Sequence, residues 1–475
     1  MDDAAAIASD KAHREGHEGL PEIGARLDRL SASRTVWMIL LLMSFGGFFD
    51  AYTLYAGGTI APRLVKAHIL KETTKNFFSL DGYAGFTSAT FMGLLFASSC
   101  CGVLADKFGR RAIFTTGLLW FGLSGFMMSF QSTAIGVNFW RFMLAIGTGV
   151  EVITIDSYLS EMVPKGARGR AFAINNAIHS TGQPVAAMAA FFLVPYTLLG
   201  FDGWRWVVAL GALAAIVVWP LQMLIPESPR WLAAHGRLPE ADKTVSDLEA
   251  RVERETGKPL KPPEPVTHRP PHTKGRYSQI FSKEYRGRTL MLTLFHIFQA
   301  VGLFGFINWM PTFLVHQGVS ITKSIGYTFG MAIVVPLGPL VCSLFADRIE
   351  RKWQMVGAAL MIATAFLVFA FARSPLIIVP MGAVELLSAA ILSYSFHAYQ
   401  SELFPTRIRT QAIGFVYSWS RVSATLSAFL TAWVLRAYGV PAVFLIFMGS
   451  MIMVALCVGI MGPMTKNRSL ETLSP

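Results

Sequence analysis

The 475-residue chain is 53% hydrophobic and only 15% charged, whereas soluble globular domains are about a quarter charged. This composition excludes an ordinary soluble domain. The formal net charge of +12 would suit a nucleic-acid partner, but the basic residues lie in short loops between apolar segments. We therefore expect no nucleic acid to bind.

Twelve apolar segments follow one another along the chain, each long enough to cross a bilayer as a helix. Six precede a polar stretch at 226–288 and six follow it. Predicted spans 1 to 12 are roughly 35–61, 83–104, 112–130, 137–162, 170–195, 205–225, 289–315, 324–346, 353–372, 375–403, 408–436 and 440–463. The sequence thus predicts a multi-pass protein embedded in a lipid bilayer.

Basic residues concentrate in the loops after the even-numbered spans, which by the positive-inside rule lie in the cytoplasm. The first loop on the other face, with Arg63, Lys66, Lys71 and Lys75, does not follow this rule. The first 34 residues lack a cleavable signal pattern, so we expect span 1 to be retained. The basic residues of the even loops are Lys107, Arg110, Arg111, Lys165, Arg168, Arg170, Arg348, Arg351, Lys352, Arg407 and Arg409.

The predicted organisation follows from these two patterns. A cytoplasmic tail (1–34) precedes a first bundle (35–225), a cytoplasmic linker (226–288), a second bundle (289–463) and a cytoplasmic C-terminal tail (464–475). In the linker, Val245, Leu248 and Val252 recur at helical spacing within Glu240–Glu255, which predicts an amphipathic surface helix. This helix either clamps the ends of the spans or is a solvated connection. Residues 21–34 are either a short surface helix or a disordered tail.

The chain contains an internal repeat at one fixed offset. Asp106 and Arg110 reappear as Asp347 and Arg351, 241 positions later (347 − 106 = 241). The same offset relates Cys101, Tyr158, Glu161, Pro164 and Arg168 to Cys342, Tyr399, Glu402, Pro405 and Arg409. Two parallel copies of one apolar unit are typical of membrane transporters.

The four cysteines lie inside predicted spans and fit neither a disulfide framework nor the spacing of a metal site. They are Cys100, Cys101, Cys342 and Cys457. We expect no metal and no cofactor. Without a nucleotide loop, metal cluster or nucleophile constellation, the chain is not expected to be an enzyme.

Three motifs resemble those of a known family. Gly102-Val-Leu-Ala-Asp106-Lys-Phe-Gly109-Arg110-Arg111 resembles the signature loop between spans 2 and 3 of the major facilitator superfamily. Pro226-Glu-Ser-Pro-Arg-Trp-Leu232 and Tyr158-Leu-Ser-Glu161-Met-Val-Pro164 resemble motifs of its sugar-porter-like branches. The resemblance implies an all-α membrane protein: twelve transmembrane helices in two pseudo-symmetric six-helix bundles around a cavity that opens alternately to either side.

Span 7 indicates the branch. It reads Asn308-Trp309-Met-Pro311, which resembles proton-coupled carriers of small organic acids, nicotinate and related metabolites rather than true sugar porters. Span 1 reads Asp50-Ala51-Tyr52-Thr53 and resembles the signature of aromatic-acid carriers, except that Thr53 replaces its second Asp. Gln183-Pro184 in span 5 differs from the motif of drug antiporters.

Ionisable side chains inside spans are costly and usually functional. Asp50 is the main candidate for the proton site, because proton-coupled sugar porters have a carboxylate here and an arginine where Arg141 begins span 4. A pair that separates during the transport cycle would bind a proton in one state and release it in another. The alternative is a permanent Asp50–Arg141 salt bridge. Glu151 and Asp156 in span 4 are candidates for a second proton.

Arg421, near the middle of span 11, is the candidate clamp for a carboxylate, since a guanidinium grips that group bidentately. The alternative is that it neutralises Glu385 on span 10. Further candidates for substrate binding are Asn176, His179 and Gln183 on span 5, His296, Gln299 and Asn308 on span 7, Tyr394 and His397 on span 10, and Tyr417 on span 11.

The repeated junction residues are expected to form a cytoplasmic gate of ion pairs. In the superfamily such charges hold the outward-open state closed on the inside; the alternative is that the arginines only fix topology. The gate residues are Asp106, Arg110, Arg111, Glu161, Arg168, Asp347, Arg351, Glu402 and Arg409.

These features predict a secondary active transporter in the cell (inner or plasma) membrane. The leading hypothesis is proton-coupled uptake, or symport, of a small organic anion by alternating access, with the substrate and protons as partners. The alternatives are a sugar or polyol symporter, an exporter of toxic compounds and a non-transporting membrane sensor. The resemblance implies a monomer.

Overall fold

The computed structural model describes residues 22–465 apart from 32, 73, 75, 165–167, 264–276, 339–340 and 342–348. It is helical almost throughout. Spans 1 to 6 are Arg34–Lys66, Tyr83–Phe108, Arg110–Ser129, Ala134–Met162, Arg168–Leu193 and Gly203–Gln222. Spans 7 to 10 are Arg286–His316, Ile321–Ala332, Arg351–Phe371 and Pro375–Glu402, and spans 11 and 12 lie on either side of Gly439 within Thr406–Met461.

Several span ends have a residue that suits a helix terminus. Some side chains accept hydrogen bonds from the free N–H groups of the first turn, and one glycine allows the chain to leave the helical conformation. Thr133 caps span 4 by accepting a hydrogen bond from the Gly136 N–H at 3.1 Å. Ser320 caps span 8 in the same way. Gly439 separates spans 11 and 12, because its φ of 79° lies in the left-handed region that glycine tolerates.

By length and apolar composition alone, seven of the described helices could cross a membrane, and one of these contains both span 11 and span 12. The remaining predicted spans, 2, 4, 5 and 8, each include residues that lie outside the described part of the chain or whose side chains do. The twelve predicted spans and the two-bundle fold are confirmed. The part of predicted span 8 beyond Leu337 lies mostly outside the described residues.

The two bundles pack in corresponding ways. In the first, span 1 packs against span 5 and span 2 against span 4; in the second, span 7 packs along the helix that forms spans 11 and 12. Span 2 meets this helix across the boundary between the bundles, and span 5 meets span 8. These two pairs correspond under the 241-residue repeat.

The polar stretch between the bundles lies at the membrane face that we call the linker face; the opposite face is the far face. The linker contains helices Pro229–Ala234 and Leu238–Thr256 and a 3-10 turn, Tyr277–Phe281. Val245, Leu248 and Val252 of the longer helix are buried in a cluster with Ile23 and Leu27. These last two belong to a helical segment at 22–28 that precedes span 1.

Ion pairs reinforce this packing at the linker face. The Arg26 and Arg29 guanidinium groups both donate to the Glu249 carboxylate, at 2.8 and 2.6 Å. Burial works against ionisation of Glu249, but the two arginines outweigh it and lower the pKa of this carboxyl. The N-terminal segment and the linker helix are therefore held on the first bundle.

Contacts between the bundles are found at the far face. The Ser88 hydroxyl on span 2 donates to the Thr425 carbonyl on span 11 at 2.9 Å. The Tyr83 hydroxyl donates to the Asn308 carbonyl, and the ring centroids of Tyr83 and Trp309 are 4.5 Å apart. Span 1 approaches span 7 closely at Gly58, where a Cβ would lie 2.8 Å from the Asn308 carbonyl oxygen.

The loop at 67–82, which we call the far-face loop, adds further contacts. Its Glu72 carboxylate pairs with the His316 imidazole at 2.7 Å, and its Thr74 carbonyl accepts from the Arg436 guanidinium at 2.9 Å. Phe78 packs against Phe429 with ring centroids 5.3 Å apart. The described contacts therefore hold the two bundles together at the far face.

Candidate functional site

Asp50 lies near the middle of span 1 and contacts span 5. Its Oδ2 is 3.3 Å from Nε2 of His179, and the two side chains are 19% and 34% exposed. Gly47 makes this approach possible, because a Cβ there would already meet the His179 ring at 3.4 Å. A carboxylate and an imidazole in contact can share or exchange a proton.

Arg141 does not pair with Asp50 in this structure. It is buried, its Nε donates to the Thr90 hydroxyl at 2.8 Å, and its Nη2 donates to the Thr53 carbonyl at 2.9 Å. The guanidinium also lies 4.9 Å from the centroid of the Phe86 ring. A permanent Asp50–Arg141 salt bridge, the alternative, is therefore not found: Arg141 belongs to a network that joins spans 1, 2 and 4, and His179 is the partner of Asp50. The predicted pair that separates during the transport cycle stays a prediction.

Glu151 of span 4 is completely buried, and among the described residues neither of its carboxylate oxygens has a hydrogen-bond partner. Its Oε2 lies against span 1, where a Cβ on Gly46 would come within 2.6 Å of it. The backbone of Asp156 is part of span 4, but its side chain lies outside the described part of the chain.

Arg421 places a positive charge on span 11, near the middle of the membrane. Its guanidinium lies 5.2 Å from the ring centroid of Tyr417 and 5.9 Å from that of Phe304. The Tyr417 hydroxyl accepts a weak hydrogen bond from it at 3.4 Å. Among the residues that the structure describes, no carboxylate pairs with Arg421.

Two histidines surround this arginine. The His296 ring is buried 5.2 Å from the Tyr417 ring and approaches the Gln400 amide oxygen at 3.3 Å. His397 lies 6.3 Å from Tyr417 and interacts electrostatically with both Arg421 and His179. His397 on span 10 therefore lies near enough to interact with Arg421 on span 11 and, across the boundary between the bundles, with His179 on span 5.

Glu385 does not neutralise Arg421. It is buried on span 10, and within the described structure neither of its carboxylate oxygens has a hydrogen-bond partner. The side-chain oxygens of Gln299, Ser388 and Tyr55 are likewise buried without a partner. Of these groups, Tyr55 on span 1 and Glu385 on span 10 interact electrostatically, across the boundary between the bundles.

The predicted polar face of span 5 opens toward the linker face. Gln183 and His179 are half-buried, and Asn176, nearest the linker face, is exposed. Since the bundles touch at the far face, this gradient indicates a space between them that widens toward the linker face. Tyr394 on span 10 is also exposed.

Asn308 lies apart from the other candidates. Its side-chain amide donates to the Phe304 carbonyl at 2.9 Å within span 7, and its own carbonyl accepts from Tyr83. The residue is thus part of the far-face contact. Its candidacy as a substrate ligand rested on span 7 alone, which gave no information about the partner helix.

The predicted gate residues pair within each bundle. Arg110 lies 3.4 Å from Glu161, and Arg351 pairs with Glu402. The Arg111 backbone N–H donates to Glu227 at 3.0 Å, and Arg409 donates to the Phe404 carbonyl at 3.1 Å. The side chains of Asp106 and Arg168, and the whole of Asp347, lie outside the described residues.

The uncharged groups that position the charged side chains were not predicted from the sequence. Thr90 and the Thr53 carbonyl hold Arg141, and Gly46, Gly47 and Gly57 make room for the charged side chains of spans 4 and 5. At Gly57 a Cβ would collide with the Arg141 guanidinium. The glycines at 46, 47, 57 and 58 of span 1 were the available signal, because small residues mark helix faces that approach closely.

The fold and motifs have counterparts among known proteins. The model of the family described as "Sugar (and other) transporter" matches residues 39–475. The chain belongs to this family. Family membership confirms the predicted resemblance to sugar-porter-like members of the major facilitator superfamily and the prediction of a transporter rather than an enzyme.

Relatives match this transporter over nearly its whole length. The putative metabolite transport protein YyaJ of Bacillus subtilis is 26% identical over 94% of this chain and 96% of its own. The niacin transporter NiaP of Acinetobacter baylyi is 26% identical over 95% and 99%. The xylose transporter XylE from E. coli, in a partially occluded inward-open conformation, shares the fold with a TM-score of 0.74 at 16% identity over 91% of this chain and 99% of that one.

No metal centre accompanies the site within the described ranges. There, no group of three or more His, Cys, Asp and Glu side chains is placed to hold a metal ion. The chemistry available is therefore that of ion pairing, hydrogen bonding and proton exchange among Asp50, His179, Glu151, His397 and Arg421.

Proposed function

We propose that this transporter takes up a small organic anion together with protons. The observation that carries the proposal is Arg421, a guanidinium in the central space with aromatic rings around it and no carboxylate partner among the described residues. A cation at membrane depth is costly unless it is paired. A substrate carboxylate supplies the missing partner.

The groups around Arg421 also favour a negatively charged substrate. His397 lies on the neighbouring span and interacts electrostatically with Arg421 and with His179 of the first bundle. Once protonated, these imidazoles add positive charge to a site that already contains a guanidinium. Carboxylates bind such a guanidinium through two parallel hydrogen bonds, while Tyr417 and Phe304 accommodate a flat apolar body.

Proton coupling is assigned to the Asp50–His179 pair. His179 contacts Asp50, 3.3 Å away, and interacts electrostatically with His397 of the second bundle. An anion that binds Arg421 and His397 lowers the positive potential at His179 and favours its protonation. Substrate and proton binding are thereby linked, as reciprocal coupling between two sites requires.

Uptake also requires a direction. The basic loops after the even-numbered spans lie at the linker face, and the positive-inside rule assigns that face to the cytoplasm. We therefore assign the protein to the inner membrane of a bacterial cell with both termini inside. In this assignment the contacts at the far face close the site to the outside, and the space beside Asn176 opens inward.

A sugar or polyol symporter is the second candidate. Family membership and the neutral hydrogen-bonding groups of Gln183 and Gln299 favour it. A sugar would leave Arg421 without a counter-charge. For that reason we rank the anion first, and the relative NiaP, a niacin transporter, agrees with this ranking.

Uptake into proteoliposomes separates the two candidates. The purified protein is reconstituted, and radiolabelled nicotinate, benzoate and D-xylose are offered at acidic external pH with a neutral lumen. We expect at least one carboxylate to accumulate and its uptake to disappear when a protonophore removes the pH gradient. Accumulation of D-xylose alone would establish the sugar candidate and contradict the anion proposal; protein-free vesicles correct for passive entry of the acids.

A further inference from the structure

Glu151, like Glu385, is a buried carboxyl of the described structure that has no role in the proposed mechanism. It is 0% exposed, and within the described structure both of its oxygens lack hydrogen-bond partners. Glu151, Phe114 and Ile155 all lie against Gly46 of span 1, so the surroundings of the carboxyl include apolar side chains. An ionised carboxylate in such surroundings is far more costly than the neutral acid. The surroundings of Glu151 therefore favour a bound proton.

The position of Glu151 relates it to the proton site. Its Oε2 lies against Gly46, which is four residues before Asp50 in span 1. Four residues of α-helix rise about 6 Å, so Glu151 contacts span 1 one turn from Asp50 on the side of the linker face. The charges of the two carboxyl groups interact. His179 approaches the same stretch of span 1 at Gly47.

Gly46 allows the Glu151 carboxyl group to lie close to span 1. Any side chain at 46 would occupy the space of the Glu151 carboxyl, since even a Cβ would lie 2.6 Å from its Oε2. The carboxyl is thus held against the helix that carries Asp50, although no hydrogen bond or ion pair of the described residues requires it there. A purely structural role is better served by an apolar side chain of similar size.

We propose that Glu151 carries a second transported proton, in series with the Asp50–His179 pair and on its linker-face side. The inference rests on the proposed function and adds a stoichiometry to it. In each cycle one proton binds at the Asp50–His179 pair and one at the Glu151 carboxylate, and both leave at the linker face. Two protons and one monovalent anion move one net positive charge inward.

This stoichiometry changes which gradient drives uptake. With one proton per monovalent anion, the charges cancel and the membrane potential contributes nothing. With two, a potential of 100 mV contributes about 2.3 kcal/mol per cycle, which corresponds to roughly fiftyfold accumulation. The contribution of Glu151 is therefore measurable as a dependence on voltage.

The test uses proteoliposomes at equal pH on both sides, with a potassium diffusion potential, negative inside, set by valinomycin. Radiolabelled nicotinate is the probe, because it also belongs to the panel that tests the proposed function. We expect the wild-type protein to accumulate nicotinate under the potential alone, and Glu151→Gln to accumulate none. Glu151→Gln is expected to retain uptake under a pH gradient, which shows that it folds.

A matched control comes from the same helix. Thr154 is buried one turn further along span 4, and its hydroxyl donates to the Val150 and Glu151 carbonyls at 2.8 and 3.0 Å. Thr154→Val removes these local bonds without removing a carboxyl. This variant is expected to keep the response to voltage.

Two results would overturn the inference and leave the proposed function intact. One is equal voltage-driven uptake by the wild type and Glu151→Gln. The other is wild-type uptake that responds to the pH gradient and not to voltage. Failure of nicotinate, benzoate and every other labelled carboxylate to enter under either gradient would instead overturn the proposed function.

A spectroscopic measurement tests the proton on Glu151 without any substrate. Infrared spectra of the reconstituted protein at neutral pH are compared with those of Glu151→Gln. We expect the carbonyl stretch of a protonated carboxyl in the wild type and its loss in the variant. Identical spectra in this region would show that Glu151 is ionised and would contradict the inference.

Discussion

Arg421 is the residue that assigns an anionic substrate in the proposed function. It shares its surroundings with the Tyr417 and Phe304 rings, and no described carboxylate neutralises it. A guanidinium offers a planar pair of N–H donors that an ammonium lacks. If its partner is the carboxylate of the substrate, even the conservative replacement by lysine loses one of the two hydrogen bonds.

We predict that Arg421→Lys raises the KM for the transported carboxylate by roughly 10- to 100-fold. The estimate follows from the approximately 1.5–3 kcal/mol that a hydrogen bond to a charged group contributes, at 1.4 kcal/mol per factor of ten. The measurement is initial uptake against substrate concentration. Arg373→Lys, at an exposed position between spans 9 and 10, is the matched control and should leave KM unchanged. An unaltered KM in Arg421→Lys would remove the clamp from the mechanism.

Asp50 and His179 show how far residue-level prediction from sequence can go. A carboxylate within an apolar span is conspicuous, because such a residue is costly there unless it has a function. The sequence therefore predicts Asp50 and His179 as candidates, but it does not predict that they contact each other in the state described here, in which Arg141 is held elsewhere. Which of two basic residues reaches Asp50 depends on how spans 4 and 5 are rotated, and glycines such as Gly47 and Gly57 determine that by contacts that no linear pattern encodes.

The far-face loop is the element that joins the bundles on the side away from the linker. The basic residues in and just before this loop do not follow the positive-inside rule, and the structure offers a physical reason. Lys71 pairs with Asp81, and Arg63 at the end of span 1 pairs with Asp202 at 2.6 Å. Part of the positive charge at this face is thereby neutralised locally.

Glu72 and His316 form the ion pair in this loop that crosses between bundles. The hydrogen bond from His316 lowers the pKa of Glu72. A carboxyl whose pKa is lowered in the closed form stabilises that form above its ordinary pKa and loses the effect as pH falls through the lowered value. The side chains are 38% and 31% exposed, so solvent screening limits the contribution to about 0–1 kcal/mol.

We predict that Glu72→Gln opens the far face more often. A cysteine introduced at Thr312, which is buried on span 7, should react with a membrane-impermeant thiol reagent from that face up to about fivefold faster in the Glu72→Gln background, as about 1 kcal/mol implies. Lys71→Gln breaks an ion pair inside the loop and is the matched control. An equal labelling rate in all three backgrounds would show that the Glu72–His316 pair does not restrain the far face.

Element boundaries followed largely from the sequence. The apolar runs predict the spans within a few residues at most ends, because a bilayer requires helices of about 20 apolar residues. The break between predicted spans 11 and 12 also falls at Gly439, but neither the geometry of this break nor the docking of residues 22–28 on the linker helix followed. The first depends on one backbone torsion and the second on ion pairs over more than 200 positions, such as Arg26 with Glu249.

At the scale of the whole molecule, the internal repeat carried most of the prediction. One offset of 241 residues indicated two parallel bundles, and the structure has the corresponding pairs of spans at the boundary between them. The sequence did not predict which face is closed. The state closed at the far face and the state closed at the linker face use the same residues and differ by only a few kcal/mol. The hydrophobic pattern of the sequence is therefore compatible with either state.

The contacts on this boundary explain how transport follows from the architecture. Ser88, Tyr83 and the far-face loop close one side, while the space beside Asn176 widens on the other. Asp50 and His179 lie on the first bundle and His397 and Arg421 on the second. In the proposed function, an anion between them is held by both bundles, and its arrival and departure bias their relative position.

The most direct test of proton-coupled anion uptake is the internal pH of proteoliposomes loaded with the pH-sensitive dye pyranine. Nicotinate is added outside at equal pH, with protein-free vesicles subtracted for passive entry of the acid. We expect the lumen to acidify as nicotinate enters, and we expect Asp50→Asn to exchange labelled nicotinate between lumen and medium without acidification. Entry of nicotinate through the wild-type protein with no change in internal pH would contradict the account.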